Sequence, residues 1–177
     1  EADDIVGTLS LMADKEGFKT YMVTPDKDYA QLVTPNTFLY IPGKSGGSPA
    51  ILGVAEVLDK WGIERVDQMI DLLGLAGDAA DNLPGIPGIG MKTALKLLQQ
   101  FGDLETLLNS TGQLKGKQKT KIEEFSSQAR LCRELATIVK NVPLDVSLDE
   151  LIRKDPDKET LSHFFSEFEF ASLGKRI

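Results

Sequence analysis

Sulfur and imidazole are nearly missing from this chain. Its 177 residues include one cysteine, Cys132, one histidine, His163, and one tryptophan, Trp61. A single cysteine excludes an internal disulfide, and one cysteine with one histidine leaves few ligands for softer metals. The helical neighbours Leu131 and Leu135 predict a buried, structural thiol for Cys132. His163, beside Phe164 and Phe165 in a late amphipathic helix, reads as a packing or surface residue. Trp61, Phe168 and Phe170 read as core or interface aromatics rather than platforms for base stacking. No run approaches the roughly 18 apolar residues of a membrane helix, and no charged-then-apolar leader opens the chain. A soluble, intracellular protein without a membrane partner is therefore expected. The chain also starts without methionine, at Glu1 inside a predicted helix, and reads as a piece of something longer.

What is present suits an ordinary globular domain: 41% hydrophobic and 27% charged residues, enough to bury a core. The net charge of −7 argues at first against nucleic acid as a partner. The excess, however, is confined to three tight clusters: Glu1, Asp3 and Asp4; Asp26 and Asp28; Asp78 and Asp81. Without these seven acids the remainder is neutral and can still present a basic face.

Apolar residues at helical spacing (Ala2, Ile5, Val6, Leu9, Ala13) predict an amphipathic helix from Glu1 to about Gly17. Lys19–Thr24 and Phe38–Ile41 read as strands. Gly43–Pro49 reads as a flexible, exposed connection, followed by helices over Ala50–Trp61 and Val66–Leu75. Further helices are expected at Met91–Phe101, Leu104–Leu108, Lys117–Val139 (one long helix) and Lys158–Phe168, with no later strand. The expected fold is α/β: a partial parallel sheet with flanking helices over residues 1–75, then a helical subdomain over 76–177.

Each acidic cluster has a bland explanation. Acids suit the first turn of a helix, Asp26 and Asp28 suit a turn after a strand, and Asp78 and Asp81 follow a helix end. Loops after strands are also where open α/β sheets bind ligands. Three separate segments offering only oxygen donors point to Mg²⁺ or Mn²⁺. Carboxylates brought close together repel and raise one another's pKa values unless cations lie between them. Two ions about 3.5–4 Å apart can activate a water and stabilise the leaving oxygen of a phosphodiester.

Leu83–Ala94 alternates glycine with apolar residues and opens into a helix. Gly85, Gly88 and Gly90 allow the backbone to approach a ligand, and amides near Lys92 and Thr93 offer donors to a phosphate. Ile86 and Ile89 can anchor the turn in the core, and a purely structural helix–helix turn is the alternative. The Gly-Lys-Ser/Thr ending of a nucleotide-binding loop is missing here, so a sequence-independent grip on a DNA backbone fits better. Lys115, Lys117, Lys119 and Lys121 are a secondary basic feature, since alternate helix positions do not share a face.

These segments, in this order, resemble the 5′-nuclease domain of bacterial DNA polymerase I: Glu1-Ala2-Asp3-Asp4, Thr24-Pro25-Asp26-Lys27-Asp28 with Gln31-Leu32-Val33, and Gly77-Asp78-Ala79-Ala80-Asp81-Asn82 running into the glycine hairpin. The closing Phe168-Glu169-Phe170-Ala171-Ser172-Leu173 is similar to the segment that ends that domain. The resemblance implies a PIN-like or resolvase-like nuclease core followed by a helix-hairpin-helix subdomain. It implies a centre of two or more divalent ions, Mg²⁺ or Mn²⁺, lined by Glu1, Asp3, Asp4, Asp26, Asp28, Asp78 and Asp81, with Asp3, Asp4 and Asp78 central to catalysis. Duplex DNA would be held through Gly85, Gly88, Ile89, Gly90, Lys92 and Thr93, and K⁺ through hairpin carbonyls at Leu83, Ile86 and Ile89.

The implied reaction is cleavage near a 5′ flap or nick, without sequence preference, leaving a 5′-phosphate. The implied setting is the bacterial cytoplasm, with a polymerase domain in the same parent chain. The family's first strand, further aspartates and the helical arch would precede Glu1, so this chain alone is expected to be inactive or very weak. The competing readings are a non-catalytic helix-hairpin-helix DNA-binding module and a ribonuclease of related α/β architecture. The glycine hairpin argues against the ribonuclease.

Overall fold

The computed structural model describes residues 1–43 and 47–176, so the expected flexible connection lies partly, at residues 44–46, outside the described residues. The chain divides into two compact units, Glu1–Leu144 and Asp145–Ile177. The expected division after residue 75 falls within the first unit, whose buried residues form one continuous cluster running from Met22 to Ile138.

Helix α1 (Ala2–Lys15) leads into strand β1 (Thr20–Val23), a 3₁₀ turn (Asp28–Leu32) and strand β2 (Thr37–Ile41). β1 and β2 pair in parallel, with Met22 opposite Leu39, and both side chains are buried. Tyr21 and Phe38 stack on the opposite face, ring centroids 5.3 Å apart. The predicted helix at Ala50 starts later. Ala50–Leu52 is strand β3, antiparallel to β2, and the sheet is therefore mixed rather than parallel throughout. Gly53 ends β3 and caps helix α2 (Val54–Trp61), its amide donating to the Glu56 carboxylate at 2.9 Å.

The rest of the first unit is helical: α3 (Gln68–Ala76), α4 (Met91–Phe101), α5 (Leu104–Asn109), α6 (Gly116–Glu124) and α7 (Ser126–Ala136). The expected long helix is interrupted at Phe125, which ends α6 and begins α7. Leu97, Leu98, Leu104, Leu107 and Ile122 are almost fully buried. Burying such a side chain contributes about 1.5–3 kcal/mol, so these helices are held by packing rather than by propensity. Cys132 is buried as expected, although Leu131 and Leu135, predicted to bury it, are themselves exposed.

The second unit contains α8 (Lys158–Glu167) and α9 (Ala171–Gly174). Here Phe164, Phe168 and Phe170 group together, with Phe164 and Phe168 centroids 4.6 Å apart, and His163 is exposed. Among the described residues no helix is long and apolar enough to cross a membrane.

Candidate metal centre

The first turn of α1 carries Asp3 and Asp4, two and three positions after its cap Glu1, where the helix dipole favours negative charge. Each aspartate is fixed from a distant element. The Tyr29 hydroxyl donates to Asp3 Oδ1 at 2.9 Å. Burial, and then this bond, push the tyrosine up to about 12, which keeps it a donor. The Val139 amide donates to Asp4 Oδ1 at 2.8 Å and holds that carboxyl below the usual range.

Asp26 and Asp28 sit in a self-bonded turn after β1. The Asp26 amide donates to Thr24 Oγ1 at 3.1 Å, and the Asp28 amide donates to Asp26 Oδ1 at 3.0 Å. Asp78 and Asp81 ride on a loop that Asp78 and Leu83 close by exchanging backbone hydrogen bonds of 2.8 and 2.7 Å. The Ala80 amide donates to Asp78 Oδ1 at 3.0 Å inside that loop.

Glu1, Asp3, Asp4, Asp26, Asp28 and Asp81 line one open cleft of about 320 Å³, walled by Leu135–Ile138. Asp78 does not line this cleft, but Asp28, Asp78 and Asp81 each bring a carboxylate oxygen within 4.8 Å of the others. Asp28 thus joins the cleft to Asp78. Burial, only partly offset by Lys27, pushes its carboxyl up to about 6, and Asp81 and Asp26 add to the rise. Its Oδ1 is buried without a hydrogen-bond partner, with Lys27 Nζ 3.9 Å away. Lys27 also bonds Asp78 Oδ2. Against the effect of burial, that bond and the Ala80 amide hold Asp78 below the usual range. An all-carboxylate donor set with an unpartnered buried oxygen fits a hard divalent cation.

The hairpin follows directly on the acidic loop. Ile86 and Ile89 are buried, as expected of anchors. Gly85 and Gly77, both at positive φ, pack backbone to backbone: a Cβ on Gly85 would lie 2.3 Å from the Gly77 amide nitrogen. This close approach accounts for Gly85, whereas Gly90 has open space around it and caps α4. The carbonyl of Leu83 accepts from Asp78 and that of Ile86 from Ile89, while Pro87 accepts from Lys121 Nζ at 2.8 Å. Lys92 is exposed and Thr93 half-buried in the first turn of α4.

Residues given no role from sequence connect these parts. Gln31 donates to the Ala136 carbonyl and accepts from the Ile138 amide, both at 2.9 Å, and so pins the cleft wall. Gln128, near the start of α7, donates to the Gly85 carbonyl. Arg133, one turn further on, bonds the buried Asp71 at 2.6 Å. Nothing in the sequence shows these pairings, whose members lie up to 107 positions apart.

Residues 1–62 match the N-terminal resolvase-like domain of 5′-3′ exonucleases, and residues 64–159 match their C-terminal SAM fold. DNA polymerase I of Bacillus subtilis is 41% identical over 178 residues, covering 100% of this chain and 20% of the relative. The thermostable DNA polymerase I of Thermus aquaticus is 39% identical over 173 residues, covering 98% of this chain and 20% of the relative. The chain thus spans about a fifth of the length of these relatives. Among solved structures, zinc-bound 5′-exonuclease of T5 has a TM-score of 0.67 at 20% identity, covering 77% of this chain and 49% of the other. Flap endonuclease-1 of Methanococcus jannaschii has a TM-score of 0.55 at 23% identity, covering 91% and 44%. With the two family models matched in order along the sequence, over residues 1–62 and 64–159, the chain belongs to the 5′-3′ exonuclease family.

Proposed function

We propose that this chain forms the metal centre and DNA grip of a structure-specific 5′ nuclease that trims DNA at a 5′ flap or nick, as part of a bacterial DNA polymerase I. The observation that carries the reading is one cleft lined by carboxylates from three separate segments, in which Asp28, its buried Oδ1 without a hydrogen bond, also stands beside Asp78, on a chain that leads directly into the glycine hairpin. The relatives named DNA polymerase I support the setting, a bacterial cytoplasm with a polymerase in the same polypeptide.

Glu1, Asp3, Asp4, Asp26, Asp28, Asp78 and Asp81 would hold two or more divalent ions, Mg²⁺ or Mn²⁺. Such ions supply an activated water and stabilise the leaving oxygen of the phosphodiester. The chain's own part is positioning: Tyr29 orients Asp3, the Val139 amide orients Asp4, and the closed loop orients Asp78. Gly85, Gly88, Ile89, Gly90, Lys92 and Thr93 would hold the DNA backbone, with first-turn amides of α4 facing a phosphate. The carbonyls of Leu83, Ile86 and Ile89 are the proposed seat of K⁺. Residues 1–75 would thus supply five of the seven carboxylates, and 76–177 the other two, Asp78 and Asp81, together with the grip.

The test is cleavage of a labelled 5′-flap duplex by this chain and by an N-terminally extended version, each with Mg²⁺ and with EDTA. Cleavage that needs metal and is abolished by Asp78→Asn, with DNA affinity retained, supports the reading. If neither version cuts, and both bind the flap equally with and without metal, the chain is a DNA-binding module instead.

A further inference from the structure

Lys27 stands between Asp26 and Asp28, yet its ammonium engages a residue 51 positions away. Its backbone leads into the 3₁₀ turn, its carbonyl accepting from the Ala30 amide at 3.0 Å, so the turn that places Asp28 also aims Lys27. Nζ bonds Asp78 Oδ2, lies 3.9 Å from Asp28 Oδ1, and shares the field of Asp81. One lysine therefore offsets part of the charge of the three carboxylates whose oxygens lie within 4.8 Å of one another.

We propose that Lys27 is a built-in counter-cation of this cluster, which holds Asp78 beside Asp28 when no divalent ion is bound and gives way when one is. The inference rests on the metal-centre reading above. A divalent ion sits about 2.0–2.6 Å from a carboxylate oxygen. An ammonium at hydrogen-bonding distance from that same oxygen is then only a few ångströms from the ion, and like charges at that range repel strongly. Lysine suits the exchange, since its compact charge rides on a flexible four-carbon stem that can swing into water. Two consequences follow. The metal-free fold draws support from Lys27, and divalent ions bind more weakly than the carboxylates alone would allow.

The experiment uses Mn²⁺ as probe, titrated into the full chain and followed by the electron paramagnetic resonance of the free ion, with melting temperatures in EDTA and in saturating Mn²⁺. Lys27→Met should bind Mn²⁺ about tenfold or more tightly than wild type. It should melt below wild type in EDTA and lose that deficit in Mn²⁺. Lys27→Arg, which keeps the charge, should stay near wild type in affinity. Unchanged or weaker Mn²⁺ binding by Lys27→Met overturns the proposal; if that variant does not fold, Lys27→Gln, which keeps a donor without the charge, is read by the same criterion. Asp28→Asn separates the two ideas. If it leaves Mn²⁺ binding intact, the metal-centre reading itself fails; if it weakens binding while neutralising Lys27 changes nothing, only the counter-cation fails.

Discussion

Val139 and Asp4 are 135 positions apart, yet the amide of one donates to the carboxylate of the other at 2.8 Å. The chain beyond α7 is thereby drawn across the acidic turn that opens α1, and Gln31 fastens it there by bonding both Ala136 and Ile138. Gln31→Ala leaves a carbonyl and an amide without these partners, an expected loss of about 1–3 kcal/mol in urea denaturation. Mn²⁺ affinity should fall with it, because the cleft loses its wall. A stable variant with unchanged metal binding would show that the wall is irrelevant to the centre.

Two arginines three positions apart on α7 should behave differently. Arg133 pairs with Asp71, whose side chain is 3% exposed, whereas Arg130 pairs with the exposed Glu105. Arg133→Met strands a buried carboxylate and should cost about 2–3 kcal/mol, less than a fully buried pair because the arginine itself is 40% exposed. Arg130→Met should leave the melting temperature nearly unchanged. Equal effects from the two would refute the distinction.

Burial raises the Asp71 carboxyl above its ordinary value despite Arg133. Folding therefore takes up a proton at intermediate pH. The stability so gained is complete below the unfolded value of about 4 and is lost as pH rises through the higher folded one. The advantage of wild type over Asp71→Asn should shrink as pH rises above about 4 in guanidinium titrations. A widening gap would contradict the assignment.

The glycines of the hairpin are not equivalent. Gly85→Ala forces a Cβ against the Gly77 backbone at a φ of +58 and should cost about 2–5 kcal/mol. At Gly88 the obstacle is the mobile end of Lys121, so alanine should cost about 1–2 kcal/mol, the left-handed backbone penalty. At Gly90 nothing lies within 4 Å, and alanine should cost about 1 kcal/mol or less, as a weaker helix cap. Thermal denaturation of the three variants checks the order.

Lys92 makes a separate test of the grip. Lys92→Ala should weaken binding to duplex DNA of any sequence and reduce the slope of log affinity against log salt by roughly one, the loss of one phosphate contact. Fluorescence anisotropy over a range of KCl concentrations measures it, and an unchanged slope would remove Lys92 from the interface.

Legibility followed locality. α4 was readable from its ends because Gly90 and Gly102 bracket one apolar stripe, and the acidic turns were readable because their bonds are local. The break at Phe125 was not, because neither glycine nor proline marks it. The strand at Ala50–Leu52 was hidden because three residues are too few for alternation to compete with the helical pattern that follows. Lys27 and Gln31 stand within a recognisable motif and Gln128 in none, but the sequence assigns none of them a role, and only folding supplies their partners.

The backbone bridge between Asp78 and Leu83 has a consequence for product size. It ties the acidic loop and the gripping hairpin into one short, closed stretch of chain, with no hinge of variable length between them. In the proposed nuclease this acts as a ruler: the phosphate held at the hairpin and the phosphate cut at the metal centre would stay a fixed number of nucleotides apart. Lengthening the stretch between Asp81 and Gly85 would then move the cut along the strand rather than merely slow it.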